Sequence, residues 1–378
     1  MSVWSVEDTT LMAEAIRLAR QGQYTTHPNP RVGCVLVKNG SIVGRGFHVR
    51  AGEGHAEVNA IKEAGDAARG ATAYVTLEPC SHYGRTPPCA EGLIKAGVVR
   101  VVSAMQDPNP AVAGRGLQML VDSGIRCEVG LLEAAARELN PGFIKRMETG
   151  LPWVRVKLAM SLDGRTAMQS GESQWITGAA ARRDVQRLRA KSSAIVTGSG
   201  SIMIDDSSLT VREAELSFGA GLENAAEIVK QQPLRVVLDT AGQMSASAKI
   251  LSQPGRTLWV TLSEREMPHA EMLTAQTSDG RIDLRWLLEY LAANEQCNEV
   301  LVEAGATMAG AFVAADLVDE LIVYMAPTLL GSNARPLLQL PLDKMEQQKR
   351  LKMTDCRQLG DDLRLTYRFH VNTTEGPV

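Results

Sequence analysis

The chain has 378 residues, 44% of them hydrophobic and 22% charged, with a formal net charge of -3. That length allows two domains with separate cores, and the balance is that of a globular protein rather than a disordered or fibrous one. Acidic and basic residues are mixed with no long like-charged block, which argues against a nucleic-acid binder, and no apolar stretch nears the ~20 residues of a membrane span. The start, Met1-Ser2-Val3-Trp4, lacks the basic and apolar segments of a signal peptide. Six cysteines do not suggest a disulfide scaffold, and the expected compartment is the cytoplasm.

In chain order, Ser5 reads as the cap of a helix over Val6 to Arg20, with Asp8 at its third position and Leu11, Ala15, Leu18 and Ala19 on its apolar face. Thr26-His27-Pro28-Asn29-Pro30 breaks it. Val32 to Val37 reads as a buried strand, Asn39-Gly40 as a hairpin turn, and Ile42-Val43-Gly44 as the start of the return strand. Cys34 falls inside that apolar run and belongs to the core. His55 and Glu57 open a helix to about Gly65, and Ala71 to Leu77 is a strand leading to Glu78-Pro79-Cys80. A helix follows from about Cys89 to Gly97, then a strand over Val98 to Ala104. Strands alternating with helices predict a layered α/β domain.

His55, Cys80 and Cys89 are a donor set for zinc with three protein ligands, which leaves the fourth position open for water. Glu57, two residues from His55, is too close for an easy second ligand but can move a proton at that open position. Two other readings compete: unconnected thiols beside a surface histidine, or a closed structural zinc with His82 as fourth ligand. The pattern His-x-Glu, then Pro-Cys and a second Cys, resembles the zinc-dependent cytosine, adenosine and pyrimidine deaminases. The usual Pro-Cys-x-x-Cys spacing is absent, since eight residues, Ser81 to Pro88, separate the two cysteines. That longer loop, Cys-Ser-His-x-Gly-x-Thr-Pro-Pro-Cys, resembles one branch, the bifunctional riboflavin-biosynthesis deaminase/reductases. The resemblance implies an N-terminal cytidine-deaminase-like three-layer domain with one zinc per chain on His55, Cys80 and Cys89, and Glu57 as the catalytic proton carrier. It also implies that Asn29, His48, Arg85, Asp107 and Asn109 hold the pyrimidine edge and ribose phosphate, with Arg85 suited to the phosphate by charge. Asp-Pro-Asn-Pro, the setting of Asp107 and Asn109, is also a good turn sequence in its own right.

Asn140-Pro141-Gly142 ends an Ala- and Glu-rich helix, and Thr149-Gly150-Leu151-Pro152 adds further breakers, so a domain boundary is expected near residue 150. Beyond it, the alternating strand Trp153 to Ala159 leads into Met160-Ser161-Leu162-Asp163-Gly164-Arg165. With Ser170-Gly171-Glu172-Ser173-Gln174-Trp175, this resembles the dihydrofolate-reductase-like α/β half of the same enzymes. Ala194 to Thr197 is a strand, but Gly198-Ser199-Gly200 does not continue as a Rossmann fingerprint: its sixth position is Met203 and no long cofactor helix follows. Turns after strands recur at Asp239-Thr240 and at Glu303 to Ala311, where small residues and a helix start suit a phosphate. The resemblance implies NADPH contacts at Ala159, Trp175, Ser201, Asp205, Thr240, Gly305, Ala306, Thr307, Met308, Ala309, Gly310 and Ala311. It implies substrate contacts at Ser173, Arg189, Leu209, Arg212 and Glu303. The plain alternatives are a core Trp175, a solvated arginine on the helix over 182–191, and ordinary strand-to-helix turns. Residues 213–232 and 263–280 look like surface insertions. Leu317 to Pro327 reads as helix then strand, and Leu329-Leu330-Gly331 and Leu363 to Phe369 as closing strands.

Together these readings predict two fused enzymes: zinc-dependent deamination of a phosphoribosyl-pyrimidine over 1–150, then NADPH-dependent reduction of its ribosyl chain to ribityl over 151–378. Phosphoribosyl-pyrimidines are the expected partners, with no nucleic acid and no membrane, and a homo-oligomer, a dimer foremost, is the expected assembly. A nucleic-acid base deaminase fits the charge balance and the long Cys–Cys loop less well. A second half that only binds a ligand would not require the Ser-Leu-Asp-Gly and Glu-Ala-Gly motifs together.

Overall fold

Residues 4–83, 87–216 and 225–369 are described here in a computed structural model, and the chain divides into two units, Met1–Leu151 and Pro152–Val378. The first unit runs α1 (Val6–Ala19), β1 (Gly33–Lys38), β2 (Ser41–Phe47), α2 (Ala56–Ala64), β3 (Thr72–Val75), α3 (Cys89–Ala96), β4 (Arg100–Ser103), α4 (Arg115–Asp122), β5 (Arg126–Val129), α5 (Glu133–Arg137) and α6 (Pro141–Thr149). Ser5 and Asp8 close the start of α1 reciprocally: the Asp8 amide donates to Ser5 Oγ at 2.9 Å and the Ser5 amide to Asp8 Oδ2 at 3.1 Å.

The strands form one sheet in the order β2-β1-β3-β4-β5, antiparallel at β2/β1 and β1/β3 and parallel from β3 onward. Alternation along the strands separates two cores. Val35, Val37, Tyr74 and Val102 pack with Leu11, Ala136 and Phe143 from α1, α5 and α6. Cys34, Leu36, Ala73, Val75 and Val101 pack with Ala60, Leu93 and Leu120 from α2, α3 and α4. The result is a three-layer α/β/α unit. Gly44 and Gly46 let α2 lie directly on β2: a Cβ at either would sit 2.2 Å from the carbonyl oxygen of Ala60 or Ala56. That contact fixes the start of α2, where His55 and Glu57 stand.

The second unit runs β6 (Trp153–Ser161), β7 (Arg165–Ala167), α7 (Ala179–Lys191), β8 (Ala194–Gly198), α8 (Ser199–Asp205), α9 (Ala225–Val229), β9 (Leu234–Leu238), β10 (Thr257–Thr261), β11 (Glu271–Thr274), β12 (Thr277–Ser278), β13 (Arg281–Ile282), α10 (Leu284–Ala293), β14 (Glu299–Val302), α11 (Ala306–Ala314), β15 (Glu320–Ala326), β16 (Arg335–Pro336), β17 (Leu351–Leu359) and β18 (Asp362–Phe369). Nine of these strands form a sheet in the order β11-β10-β9-β8-β14-β6-β15-β18-β17, parallel except at β18 and β17. Central strands covered on both faces are buried along their whole length, as Leu234–Leu238 and Thr257–Thr261 are. Two arginines inside the sheet are fully partnered. Arg155 meets Glu320 Oε2 at 2.6 Å and also bonds Glu299, one glutamate from each flanking strand. Arg235 donates to Thr257 Oγ1 and to the carbonyls of Gln253, Pro254 and Gly255.

Three expectations for this unit need correction. Leu317 to Asp319 are not helical: α11 stops at Ala314, and Asp316 turns the chain at φ 54°. Leu329-Leu330-Gly331 is not a strand, because the amides of Leu330 and Gly331 donate to the Asp163 carboxylate at 3.1 and 2.8 Å instead of to a ladder. Residues 263–280 are more than a surface insertion, since β11 pairs in parallel with β10 and extends the sheet. Part of 213–232 lies outside the described residues; the rest holds α9 and a short 3-10 turn at Glu213–Glu215.

Candidate functional site

His55 is the N-cap residue of α2, Cys80 follows β3, and Cys89 is the first residue of α3, so three separate segments deliver one donor each. His55 Nδ1 lies 3.6 Å from Cys80 Sγ and 3.3 Å from Cys89 Sγ. Zinc bonds of ~2.0–2.1 Å to nitrogen and ~2.3 Å to sulfur, opened to the tetrahedral angle, require an N···S edge of about 3.6 Å. The donor set therefore fits zinc. Among the described residues the cluster holds no fourth His, Cys, Asp or Glu, and His82 is exposed. The structure thus gives the closed structural zinc no ligand set. The Cys89 amide donates to Cys80 Sγ at 3.3 Å, which closes the long Cys–Cys loop. A hydrogen bond from Cys89 draws the Cys80 thiol down to about 4, with His55 adding to the effect. The same bond pushes the Cys89 thiol up.

Glu57, 3% exposed, faces this cluster from the first turn of α2. Burial pushes its carboxyl up to about 7, with the nearby Cys80 adding to the rise. On one side stands the pair Asn29 and His48, with Asn29 Nδ2 3.1 Å from His48 Nε2. The carbonyl oxygen of Gly54, 3.2 Å from His48 Nδ1, accepts a hydrogen bond from it while Asn29 Nδ2 donates to Nε2, the pattern of a neutral imidazole. Burial lowers the His48 pKa and favours the same state. The His48 and His55 rings meet edge to face at 5.2 Å. Asp107 and Asn109 occupy the loop after β4, the Asn109 amide donating to Asp107 Oδ1 at 2.8 Å. Burial pushes the Asp107 carboxyl up to about 6, and because β3 and β4 are parallel neighbours this loop leaves the sheet at the same end as the segment leading to Cys80. Arg85 lies outside the described residues.

Sequence reasoning passed over two residues here. Asn59 Nδ2 donates to the carbonyls of Phe47 and Gly54, steadying the acceptor that orients His48. Glu78 is buried and accepts four backbone amides. Its place between the strand over Ala71 to Leu77 and the ligand Cys80 was the available signal.

In the second unit a cavity of about 1280 Å³ opens at the carboxyl ends of β6, β8, β9 and β14, where ligands of parallel sheets bind. It exceeds the ~300–1,000 Å³ of a typical single-ligand pocket. Ser173, Arg189, Leu209, Arg212 and Glu303 line it, as do Ala159, Trp175, Ser201, Asp205, Thr240, Gly305, Ala306, Thr307, Met308 and Ala311. Ala309 and Gly310 do not. Ala309 is fully buried, and a Cβ on Gly310 would lie 2.2 Å from the Gln339 carbonyl oxygen, so that face of α11 packs inward. The implied contact run from Gly305 to Ala311 is interrupted by helical periodicity.

Arg189 grips Glu303 through two bonds, Nε to Oε1 at 2.6 Å and Nη2 to Oε2 at 2.9 Å, and donates to the Thr210 carbonyl at 3.0 Å. It is not the solvated helix arginine of the plain alternative. Lys157 Nζ stands 3.8 Å from Glu303 Oε2. Burial would raise the Glu303 pKa, but Arg189 and then Lys157 hold it below the usual carboxylate range. Ser173 Oγ donates to Asp205 Oδ1 at 3.1 Å, and Arg212 pairs with Glu215 at 2.6 Å. Leu209 is buried with φ 51°, an uncommon backbone for a branched side chain. Trp175, 70% exposed, carries the Arg182 guanidinium 4.6 Å over its ring and is no core residue.

The cavity fits a dinucleotide. At Gly200 and Gly305 a Cβ would meet nothing within 4 Å, so phosphate can reach the backbone at the starts of α8 and α11. Asp239 fixes the turn before Thr240 by accepting from the Gln243 and Met244 amides at 2.9 and 2.8 Å. α8 ends after seven residues, at Asp206 with φ 43°, consistent with the absence of a Rossmann helix. Sequence reasoning missed Lys157, although a lysine in the alternating strand Trp153 to Ala159 was a visible signal.

Residues 5–105 match the cytidine and deoxycytidylate deaminase zinc-binding region, and residues 152–365 match the RibD C-terminal domain. The chain is 52% identical over 366 residues to the riboflavin biosynthesis protein RibD of Escherichia coli K12, covering 95% of this chain and 98% of that protein. It is 51% identical over 368 residues to the RibD of Haemophilus influenzae, covering 97% and 99%. Among solved structures, Acinetobacter baumannii RibD superposes with a TM-score of 0.89 at 48% identity, covering 96% of this chain and 99% of that one. A diaminohydroxyphosphoribosylaminopyrimidine deaminase/5-amino-6-(5-phosphoribosylamino)uracil reductase from Thermotoga maritima superposes with a TM-score of 0.84 at 31% identity, with coverage of 96% and 99%.

Proposed function

Because this chain belongs to the RibD family, bifunctional deaminase/reductases of riboflavin biosynthesis, we propose how its residues divide the two reactions and on what substrate. The first unit removes ammonia from 2,5-diamino-6-(5-phosphoribosylamino)pyrimidin-4-one. The second reduces the ribosyl chain of the product to ribityl.

The observation that carries the first assignment is the His55–Cys80–Cys89 cluster with the buried Glu57 beside it. Zinc, when bound by these three residues, supplies Lewis acidity that makes water a nucleophile near neutral pH. Glu57 takes one proton of the attacking water to the ring nitrogen and then carries the second, from the added hydroxyl, to the amine, which leaves as ammonia as the C–N bond breaks. Neutral His48 fixes Asn29 by accepting from its Nδ2, which leaves the Asn29 carbonyl oxygen to accept from the pyrimidine edge. Asp107 and Asn109, in the loop after β4, form a further wall, and Arg85 takes the phosphate.

In the second unit, NADPH, when bound along Ala159, Trp175, Ser201, Asp205, Thr240 and Gly305 to Met308, supplies the hydride. Glu303 stays ionised between Arg189 and Lys157 and accepts a sugar hydroxyl. Ser173, Leu209 and Arg212 close the substrate side of the cavity.

The assembly we expect is a homodimer. β17 is the outer strand of its sheet and is largely exposed, so a second copy can add there. Light scattering at twice the chain mass is the check. Among the described residues no helix is long and apolar enough to cross a membrane. The thiolate ligands suit the reducing cytoplasm.

The deciding experiment supplies the diaminopyrimidine phosphoribosyl substrate with NADPH and follows ammonia release and NADPH absorbance together. Ammonia should appear without NADPH, and absorbance loss should require the deaminated product. Absorbance loss on the undeaminated substrate would refute the order of the two steps.

A further inference from the structure

β3 and β4 are parallel neighbours, so both release their chains at the same end of the sheet. From β3 the chain passes Glu78 and Pro79 to Cys80. From β4 it enters a loop carrying Asp107 and Asn109 before α4 begins at Arg115. Within that loop the Asn109 amide donates to Asp107 Oδ1 at 2.8 Å and the Ala111 amide to Asn109 Oδ1 at 3.0 Å, but the start of α4 has no cap of its own. Pro108 and Pro110 have no amide hydrogen, and the N-cap of α4 is Gly114, with no side chain to serve the first turn.

The missing acceptor is supplied from the metal segment. Glu78 Oε2 accepts the amides of Asp107 at 3.2 Å and Gly114 at 2.9 Å, while Oε1 accepts those of Gly116 at 2.9 Å and Leu117 at 3.3 Å. The Glu78 amide in turn donates to the Met105 carbonyl at 3.0 Å. The carboxylate is 3% exposed, and no cation pairs with it among the ion pairs of the described residues. Its charge is met by amide dipoles, two of them in the first turn of α4. Beside it, a Cβ on Gly116 would lie only 1.9 Å from the Pro79 carbonyl oxygen, so α4 rests directly on the Pro79 backbone.

We propose that Glu78 is a positioning residue of the deaminase, which holds the Asp107–Asn109 wall in register with the metal segment and so sets affinity for the pyrimidine substrate. This rests on the assignment of that loop to the substrate. Glu78 touches neither zinc ligand nor reacting atom in this role. Its loss moves a binding wall while leaving the His55, Cys80 and Cys89 donors in place.

The test uses the full-length, zinc-loaded protein and steady-state deamination of the diaminopyrimidine phosphoribosyl substrate. Glu78→Gln keeps the volume but offers one carbonyl oxygen where two oxygens served four amides. The Michaelis constant should rise about tenfold or more with kcat within about threefold, the scale of losing an outer-shell support. Zinc should stay at one equivalent, and reduction of supplied deaminated product should match wild type. Glu78→Ala should have the larger effect. Gly116→Ala disturbs the same joint without touching Glu78 and should shift the Michaelis constant in the same direction, which covers the case in which Glu78→Ala does not fold. Zinc loss in step with activity, or a fall in kcat at unchanged Michaelis constant, would place Glu78 in the metal site and overturn the proposal, as would wild-type kinetics in Glu78→Gln. An Asn109→Ala arm separates the premises. A normal Michaelis constant there removes the loop from the substrate wall and the proposal with it. A raised one beside a normal Glu78→Gln overturns only the role of Glu78. Wild-type turnover of the same substrate tests the family-level function independently.

Discussion

Glu57→Gln isolates proton transfer from everything else the glutamate does. The side chain is 3% exposed and stands on the first turn of α2, so its volume is part of the packing there. Glutamine preserves that volume. The pocket already disfavours the charge, since burial and Cys80 push the carboxyl up to about 7, and a neutral isostere should therefore cost little stability. What it cannot do is take a proton and return it. General acid–base catalysis contributes about 10²–10⁴ in rate, or roughly 3–5 kcal/mol of barrier at 1.36 kcal/mol per tenfold. The expected variant holds one zinc, melts within a few degrees of wild type, and releases ammonia at least about 10²-fold more slowly at saturating substrate. The assay pairs ammonia detection with metal analysis of the same sample, and reduction of supplied intermediate serves as the internal control. Turnover near wild type in zinc-loaded Glu57→Gln would mean that another group carries the proton. Loss of zinc would mean that Glu57 supports the metal instead.

Cys80→Ser should lose both zinc and deamination, because a hydroxyl replaces a thiolate in a three-ligand set; metal analysis after purification without added zinc checks this. Arg189→Ala and Glu303→Ala should slow NADPH oxidation while leaving ammonia release near wild type. Arg189→Ala should also lower the melting temperature, since breaking a buried pair costs about 3–5 kcal/mol, and the double replacement Arg189→Met with Glu303→Gln should recover much of that stability but not the reduction. Burial alone would raise the Asp8 carboxyl, but bonds from Ser5, Arg100 and Tyr74 hold it well below the usual range. Its stabilisation is therefore complete above the unfolded value of ~3.9 and is lost as pH falls toward the folded one. The gap in melting temperature between wild type and Asp8→Asn should stay level near neutral pH and shrink below about pH 4; a gap that widens in acid contradicts this.

Local chemistry made part of the structure readable in advance. The Ser5–Asp8 pair announces α1, and the structure has both of its bonds. His55, Cys80 and Cys89 are a metal set by residue type alone, but sequence cannot say that the residues between the cysteines bring their sulfurs back together. That closure depends on the Cys89 amide meeting Cys80 Sγ, a contact between segments. The same limit hid Lys157, whose meaning comes from Glu303 and Arg189 on distant elements. It hid Glu78, which reads as one more acid until β3 and β4 are known to lie side by side. Leu329-Leu330-Gly331 has strand-like composition, yet the carboxylate of Asp163 claims its amides first. The edge strand β11 is short and exposed and lacks the alternation that marks a half-buried strand, so 263–280 shows no strand signal in sequence.

Two glutamates, Glu57 and Glu303, show how surroundings suit one residue type to the two tasks proposed for it. Glu57 is buried and Glu303 stands largely covered at the cavity wall, and desolvation acts to raise both carboxyls. At Glu57 the neighbouring thiolate of Cys80 adds to that rise, and the result is a group poised near neutrality that can hold a proton or release it. At Glu303 the bidentate bond from Arg189 and the charge of Lys157 reverse the sign. A carboxylate kept ionised in this way cannot donate a proton at neutral pH, but it accepts hydrogen bonds in a fixed direction. Hydrolysis of an amine needs the first kind of glutamate, because a proton must travel from water to leaving group. Hydride transfer to a sugar carbon needs the second, because the reacting chain must be held while the cofactor delivers its electrons. Among side chains, the difference between the units lies in Arg189 and Lys157 beside Glu303, and those two come from a helix and a strand that only the fold brings together.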